Sequence, residues 1–190
     1  RIAKGDTLVA ALSPGSENNE AFLAIQRLMK TAGLRVPGQI AADLTQGFFL
    51  MEDLGDTLLL SQLDSSTVNT WYPVALAELA KLTAISQSDA LLPVMDCGRI
   101  VEELSVFTEW FLRGLLSLSD SEIPSAILDE LATYLADAFS AQLQCVVHRD
   151  FHCRNLMCLP GGGLGVIDFQ DALLGSVVLW ATLADRIISP

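Results

Sequence analysis

The residues best suited to chemistry stand near the end of the chain. After the apolar pair Val146-Val147, the segment His148-Arg149-Asp150 is followed five residues later by Asn155. A short apolar run comes next, a Pro-Gly-Gly-Gly turn reverses the chain, and a second apolar run ends on Asp168. This pattern predicts a β-hairpin that Asn155 enters and Asp168 leaves, so that antiparallel pairing brings the two side chains together. Carboxylate and amide oxygens suit a hard cation such as Mg²⁺.

Asp150 lies just upstream of this hairpin and is therefore available to meet a substrate hydroxyl. A carboxylate beside a hard-cation site is the arrangement that phosphoryl transfer needs, because that chemistry depends mostly on positioning and on charge neutralisation. The same residues allow two other interpretations. His148 and His152 have a spacing that would bind zinc on a helix, but they follow a β-like run and no third ligand is implied. The polar residues could also be ordinary turn residues, but four of them in register with a hairpin favour a site.

The order His148-x-Asp150-x₄-Asn155, with Asp168 after a short hairpin, resembles the catalytic loop and metal-binding aspartate of the protein-kinase-like fold. The second histidine of HRDFHCRN and the segment IDFQDA are more similar to the aminoglycoside phosphotransferase family than to the protein kinases. Within that family, HRDFHCRNLM and VIDFQDALLG resemble the bacterial kinases that phosphorylate the anomeric hydroxyl of N-acetylmuramate and N-acetylglucosamine. The segments LMEDLG and FTEWFL add weaker support.

The resemblance implies ATP and Mg²⁺ as cofactors and assigns a role to each residue of the segment. Asp150 is expected to accept or orient the proton of the acceptor hydroxyl, and Asn155 and Asp168 to hold Mg²⁺ on the nucleotide phosphates. His148 is expected to orient the loop rather than to act as a base. The flanking residues Arg154 and Asp171 are expected to contact the acceptor or a phosphate.

The elements that must position these residues suggest an α+β, protein-kinase-like fold of two lobes. A small, mainly β N-terminal lobe is predicted over residues 1–54, with strands at Thr7–Leu12, Gln39–Ala42 and Phe48–Glu52. Its one helix is predicted to be capped by Ser16 or Asn18 and to end at Gly33. The resemblance places the hinge at LMEDLG, where main-chain groups of Glu52 and Leu54 would hold the adenine.

A larger, mainly helical C-terminal lobe is predicted over residues 55–190, with helices at Trp71–Ile85, Ile100–Leu118 and Ser125–Leu143. The middle helix carries charged residues among aromatic ones. A solvated face explains such charges in most proteins. This helix also resembles the segment that borders the acceptor pocket, so Glu109 is a candidate acceptor contact.

The chain departs from the family pattern at both ends. No glycine-rich phosphate loop precedes the first strand, and the strand LVAAL offers Ala11 and Leu12 where the family carries a phosphate-binding lysine. The amino-sugar kinases are similar in lacking that lysine, but a nucleotide-binding pseudokinase stays open. After Gly175 the sequence does not continue with the family's Gly-Pro and Tyr-Asp-Leu, which suggests residues missing near Gly175–Ser176.

Composition limits the class of protein. The 190 residues are 51% hydrophobic, enough for one compact domain or two small lobes, and the net charge of −12 argues against a nucleic-acid or anionic-membrane surface. The four cysteines form no CxxC pair, which predicts reduced thiols in the cytoplasm. The longest nearly apolar run, Ala172–Ala184, is too short to span a bilayer.

The sequence therefore predicts an ATP-dependent small-molecule kinase that phosphorylates a hydroxyl. The anomeric hydroxyl of N-acetylmuramate or N-acetylglucosamine is the preferred acceptor. An aminoglycoside or other amino alcohol is the alternative acceptor, and a pseudokinase is the competing class.

Overall fold

The computed structural model describes residues 7–13, 19–86 and 92–187. Its N-terminal part is a three-stranded antiparallel sheet in the order β1-β3-β2, with one helix between the first two strands. These elements are β1 (Leu8–Leu12), α1 (Asn19–Thr31), β2 (Gln39–Asp43) and β3 (Phe48–Glu52). The predicted strand Phe48–Glu52 is thus confirmed with the same bounds.

Helix α1 packs its apolar side chains into the protein interior and against strand β3. Leu23, Ile25 and Met29 are buried along one side of the helix, and Phe22 meets Phe49 of β3 edge to face, with ring centroids 5.2 Å apart. After the helix ends, Gly33 takes φ +85°, a left-handed conformation that glycine adopts without a Cβ penalty. The predicted helix and its stop are confirmed, whereas the predicted caps Ser16 and Asn18 lie outside the described residues.

The remainder is mainly helical, with two small antiparallel sheets, β4-β7 and β5-β6. In chain order its elements are α2 (Val68–Lys81), α3 (Cys97–Val106), a π-helical segment (Phe107–Leu115), α4 (Ser125–Ser140), β4 (Gln144–Val147), β5 (Leu156–Cys158), β6 (Leu164–Val166), β7 (Leu173–Ser176) and α5 (Val177–Arg186). Short 3₁₀ turns occupy Leu59–Gln62 and Leu82–Ala84.

Two elements differ from prediction. The continuous helix expected over Ile100–Leu118 begins at Cys97, because Asp96 caps it by accepting a hydrogen bond from the main-chain nitrogen of Arg99 (3.0 Å). It then changes to π-helical geometry at Phe107. The residues Leu173–Ser176, which the sequence presents as part of an apolar run, form a strand that pairs with β4.

The two parts of the structure share a hydrophobic core and main-chain hydrogen bonds. Side chains of α1 and α2 join those of β4 and β6 in one buried cluster. The carbonyl oxygen of Arg35, between α1 and β2, accepts a hydrogen bond from the nitrogen of Val166 in β6 (2.7 Å). Beyond β3, Leu60 donates to the oxygen of Cys153 (3.0 Å). Among the described residues, no helix combines the length and the apolar character needed to cross a membrane.

Candidate active site

Strand β4 carries the chain to a fully buried histidine. Val146 and Val147 are buried and pair with β7, and His148 follows with no exposed surface. Its Nε2 lies 3.1 Å from the carbonyl oxygen of Ile167, which holds the loop after β4 against the end of β6. Burial lowers the pKa of His148 to about 4, so the imidazole is neutral at pH 7. The other ring nitrogen, Nδ1, is buried and has no hydrogen-bond partner among the described residues.

The loop after His148 is folded by short hydrogen bonds onto Asp150. The main-chain oxygen of Asp150 accepts from the nitrogen of His152 (3.1 Å) and from Nδ2 of Asn155 (3.0 Å). The nitrogen of Asn155 in turn donates to the oxygen of His152 (2.8 Å). The half-buried carboxylate of Asp150 is thereby attached to a loop whose backbone is tightly turned.

The hairpin β5-β6 brings Asn155 and Asp168 together. Leu156 pairs with Val166, and the nitrogen of Ile167 donates to the oxygen of Asn155 (3.0 Å), so the two polar residues leave the hairpin side by side. Nδ2 of Asn155 lies 3.1 Å from Oδ2 of Asp168. Because these bonds use the amide nitrogen, the amide oxygen of Asn155 is the atom that would be available to a cation.

The donor set at this point fits Mg²⁺. Asp168 is exposed and takes φ +63°, a left-handed conformation that Asp tolerates better than most residues, and Gln170 donates to its Oδ1 (2.8 Å). Mg²⁺ in nucleotide sites commonly uses one or two protein oxygens and completes its octahedron with phosphates and water. One carboxylate and one amide oxygen meet that requirement.

The turn that contains Asp168 is anchored to the N-terminal part of the molecule. Phe169 is buried and stacks on Phe22 of α1, with ring centroids 5.1 Å apart and planes 13° apart. Because Phe22 also contacts β3, a row of three aromatic rings connects the sheet to the residue next to Asp168. The position of α1 therefore constrains the position of Asp168.

The predicted hinge residues have their side chains engaged in packing. Glu52 forms an ion pair with Arg35, with Nη1 and Oε2 2.7 Å apart, and accepts from the nitrogen of Gly38 (3.1 Å). The hydrogen bond from Arg35 lowers the pKa of Glu52 below its usual range. Leu54 is buried, and its Cδ1 lies 2.7 Å from the place that a Cβ on Gly165 would occupy. Both side chains are used structurally, which is compatible with the main-chain role that the sequence predicts.

The three predicted acceptor contacts lie in different surroundings. Arg154 is exposed and forms no ion pair with the described residues, and the exposed Asp171 lies 4.0 Å from Nη1 of Arg149. Glu109 pairs with Arg113, which also binds Asp120 (2.8 Å). These two paired residues line a pocket of about 220 Å³ between α3, the π-helical segment and α4, and no residue of the β4–β7 region contributes to its wall. The structure thus does not place Glu109 with the Asp150 group.

An ion pair between Arg149 and Glu103 of α3 was not predicted. The two residues are 46 positions apart, and an exposed glutamate on a helix gives no sequence signal of such a partner. The one sequence feature that could have drawn attention to Arg149 is its position beside Asp150.

The sequence of this chain is similar to a known family of enzymes. The model of the APH phosphotransferase enzyme family matches residues 2–179. An N-acetylmuramate/N-acetylglucosamine kinase of Pseudomonas putida KT2440 is 34% identical over 165 residues, covering 86% of this chain and 48% of that protein. This chain therefore spans about half the length of that curated relative.

Solved structures share the fold. The choline kinase LicA from Streptococcus pneumoniae superimposes with a TM-score of 0.63 at 14% identity, over 96% of this chain and 67% of that one. The ADP-bound aminoglycoside phosphotransferase APH(2'')-Ib gives a TM-score of 0.59 at 18% identity, over 89% and 61%. The predicted α+β kinase-like fold is confirmed. With the family model matched along most of its length, the chain belongs to the APH family of phosphotransferase enzymes.

Proposed function

We propose that this protein is an ATP-dependent kinase that phosphorylates the anomeric hydroxyl of N-acetylmuramate or N-acetylglucosamine. The observation that carries the proposal is the 3.1 Å contact between Nδ2 of Asn155, on the loop that also bears Asp150, and Oδ2 of Asp168, which follows strand β6. The acceptor is inferred from the relative in Pseudomonas putida, which is named for these two sugars. Residues 1–54 would form the nucleotide lobe and residues 55–190 the catalytic lobe of a cytoplasmic enzyme that binds neither nucleic acid nor membrane.

In this mechanism Asp150 accepts the proton of the acceptor hydroxyl as the oxygen attacks the terminal phosphorus of ATP. The new bond joins the sugar oxygen to phosphorus, and the bond between the β-phosphate bridging oxygen and that phosphorus breaks, which releases ADP. An anomeric hydroxyl is more acidic than an ordinary alcohol, so a carboxylate suffices as the base. Asn155 and Asp168 would hold a Mg²⁺ ion, which would supply neutralisation of phosphate charge, and His148, neutral and buried, fixes the loop against Ile167.

The nucleotide would lie between the hinge and the hairpin. The main-chain groups of Glu52 and Leu54 are the proposed adenine contacts, since the Glu52 carboxylate is bound to Arg35 and the Leu54 side chain packs against β6. Packing of this kind would fix the main chain at the hinge, so that its N–H and C=O groups are already placed to hydrogen-bond the adenine.

The proposed acceptor requires a local cation when it is N-acetylmuramate, because its lactyl carboxylate approaches a protein with a net charge of −12. Arg154, exposed beside the metal ligand Asn155, is the candidate. Arg154→Ala should reduce kcat/KM for N-acetylmuramate by roughly 10- to 100-fold more than for N-acetylglucosamine, the worth of one charge-assisted contact. Arg154→Lys, which keeps the charge, is the control. Equal losses for the two sugars would remove Arg154 from the acceptor site.

Phosphorus NMR of the reaction product tests the proposal directly. The protein is incubated with MgATP and each of N-acetylmuramate, N-acetylglucosamine, an aminoglycoside and choline. A sugar 1-phosphate signal supports the proposed function. Turnover confined to the aminoglycoside or to choline would assign the protein to another acceptor class, and nucleotide binding without any product would identify a pseudokinase.

Asp150→Ala separates catalysis from nucleotide binding. We expect turnover to fall by about 10²–10⁴-fold, the usual contribution of a positioned acid–base group, while the Kd for ATP stays close to that of the wild type. Isothermal titration and a coupled ADP assay on the same preparation measure the two quantities. Wild-type turnover in the variant would exclude Asp150 as the base.

A further inference from the structure

Arg149 connects the loop that bears Asp150 to helix α3. Its guanidinium forms an ion pair with Glu103 of α3, and its Nη1 lies 4.0 Å from Oδ1 of Asp171, beyond the turn that contains Asp168. The Arg149 side chain is 28% exposed and the Glu103 side chain 53%, so the pair lies at the surface with its arginine half-buried. One side chain thus joins three segments: helix α3, the loop of the proposed base and the loop after the proposed metal ligand.

The backbone of Arg149 gives this contact a further consequence. Arg149 has φ +72°, in the left-handed region that residues other than glycine rarely adopt, and such conformations persist where the surroundings hold them. Its predecessor His148 is fixed by burial and by Ile167. The direction in which the Asp150 side chain points therefore depends on the backbone conformation of Arg149. The ion pair with Glu103 restrains that conformation.

We propose that Glu103, acting through Arg149, is a positioning residue for Asp150. Glu103 does not touch the reacting atoms; it holds the loop so that the Asp150 carboxylate is aligned with the acceptor hydroxyl. Arg149 is correspondingly not a cation for the substrate, because its guanidinium lies between two carboxylates. The expected change in kcat rests on the proposed kinase function. The expected change in the order of the loop rests on the ion pair alone.

The test compares Glu103→Gln with Glu102→Gln on the same helix. Glu102 is exposed and forms no ion pair with the described residues, so the control makes the same change of charge without touching Arg149. In Glu103→Gln we expect kcat to fall by roughly 10- to 100-fold, as for a small misplacement of a catalytic group, with the KM for ATP within about twofold of wild type. Glu102→Gln should match the wild type in both constants. In an Arg149→Gln background, Glu103→Gln should cause no further loss.

Hydrogen exchange of the loop peptide 148–155 supplies a measurement that does not depend on any acceptor. The amides of His152 and Asn155 donate within this loop, so they report on its order. Their exchange should be faster in Glu103→Gln than in the wild type and in Glu102→Gln. Unchanged exchange, or a kcat that falls equally in both variants, would overturn the proposal. If the wild type phosphorylates none of the acceptors, the proposed function fails, and the exchange comparison still decides whether Glu103 orders the loop.

Discussion

Asp168 is the residue whose replacement tests the metal site most cleanly. Its φ of +63° is a conformation that Asn also tolerates, so Asp168→Asn keeps the backbone while it removes the proposed anionic ligand of Mg²⁺. We expect the Mg²⁺ concentration for half-maximal ATP turnover to rise by roughly 10- to 100-fold, the worth of one charge-assisted contact. Asp137→Asn on the exposed side of α4 makes the same charge change elsewhere. An unchanged Mg²⁺ dependence in Asp168→Asn would remove this residue from the metal site.

His148 should make folding stability depend on pH. Burial lowers its pKa to about 4 in the folded protein, below the ordinary 6.5, so the unfolded chain binds the proton first as the pH falls. Its contribution is complete above pH 6.5 and is lost as the pH falls toward 4. Between pH 7.5 and pH 5 it accounts for about 2 kcal/mol of lost unfolding free energy. Urea denaturation at both values should show a smaller loss in His148→Gln than in the wild type. Equal losses would show that His148 is not the source.

For individual residues, the sequence predicts well which side chains a hairpin brings together. It predicts poorly which residues of distant segments form ion pairs. Asn155 and Asp168 meet because a hairpin with a Pro-Gly-Gly-Gly turn has little choice of register. The partner of Arg149 could not be predicted, since Glu103 is one of two adjacent exposed acids on α3 and only tertiary packing selects it.

Among the elements, strand β6 carries a glycine, Gly165, that lets the Leu54 side chain pack closely against the strand. A Cβ at Gly165 would lie 2.7 Å from Cδ1 of Leu54 and 3.2 Å from Cδ2 of Leu159. Gly165→Ala should therefore displace the Leu54 side chain, lower the unfolding free energy by about 1 kcal/mol and weaken ATP binding. Urea denaturation and ATP titration measure the two effects.

Gly98→Ala is the matched control for that prediction. A Cβ at Gly98, in the first turn of α3, would make only ordinary contact at 3.4 Å with Oδ1 of Asp96. Replacing Leu54 with Val in the Gly165→Ala variant should restore part of the stability, because the crowded methyl group is then shortened. Wild-type stability and ATP affinity in Gly165→Ala would contradict the close packing of hinge and hairpin.

Elements were predictable where one local pattern dominates. The strand Phe48–Glu52 and the start of α4 at Ser125 agree with the structure because their patterns are unambiguous. Strand β7 was missed since Leu173–Ser176 is continuous with the apolar residues of α5, and only its partner β4 distinguishes strand from helix. The π-helical geometry of Phe107–Leu115 was missed because its residues are ordinary helix formers.

For the molecule as a whole, net charge should be the main source of salt sensitivity. The chain has 23 acidic and 11 basic side chains, so repulsion outweighs the few exposed ion pairs. Raising sodium chloride from low to physiological strength screens this repulsion and should raise the Tm by roughly 2–4 °C, or about 1 kcal/mol. A double variant, Glu102→Gln with Glu130→Gln, should respond less. A Tm that falls with salt would show that ion pairs outweigh the repulsion.

The fold could be predicted at this scale because a few motifs identify it, but the contacts between its parts could not. The row Phe49, Phe22 and Phe169 joins residues from three distant segments, and each phenylalanine alone looks like any core residue. The pocket that Glu109 lines, apart from the Asp150 group, likewise depends on how α3 packs against α4.

The main-chain bond from Val166 to Arg35 has a mechanical consequence. The β6 strand and the segment before β2 are joined backbone to backbone, beside a parallel bridge between Arg35 and Gly165. Any rigid rotation of the N-terminal sheet against the helical part that preserves this bond has its axis close to Arg35. Points far from that axis, such as the turn between β2 and β3, then sweep the largest arcs, while the hinge beside it barely moves. Arg35 is therefore the point about which such a rotation would turn.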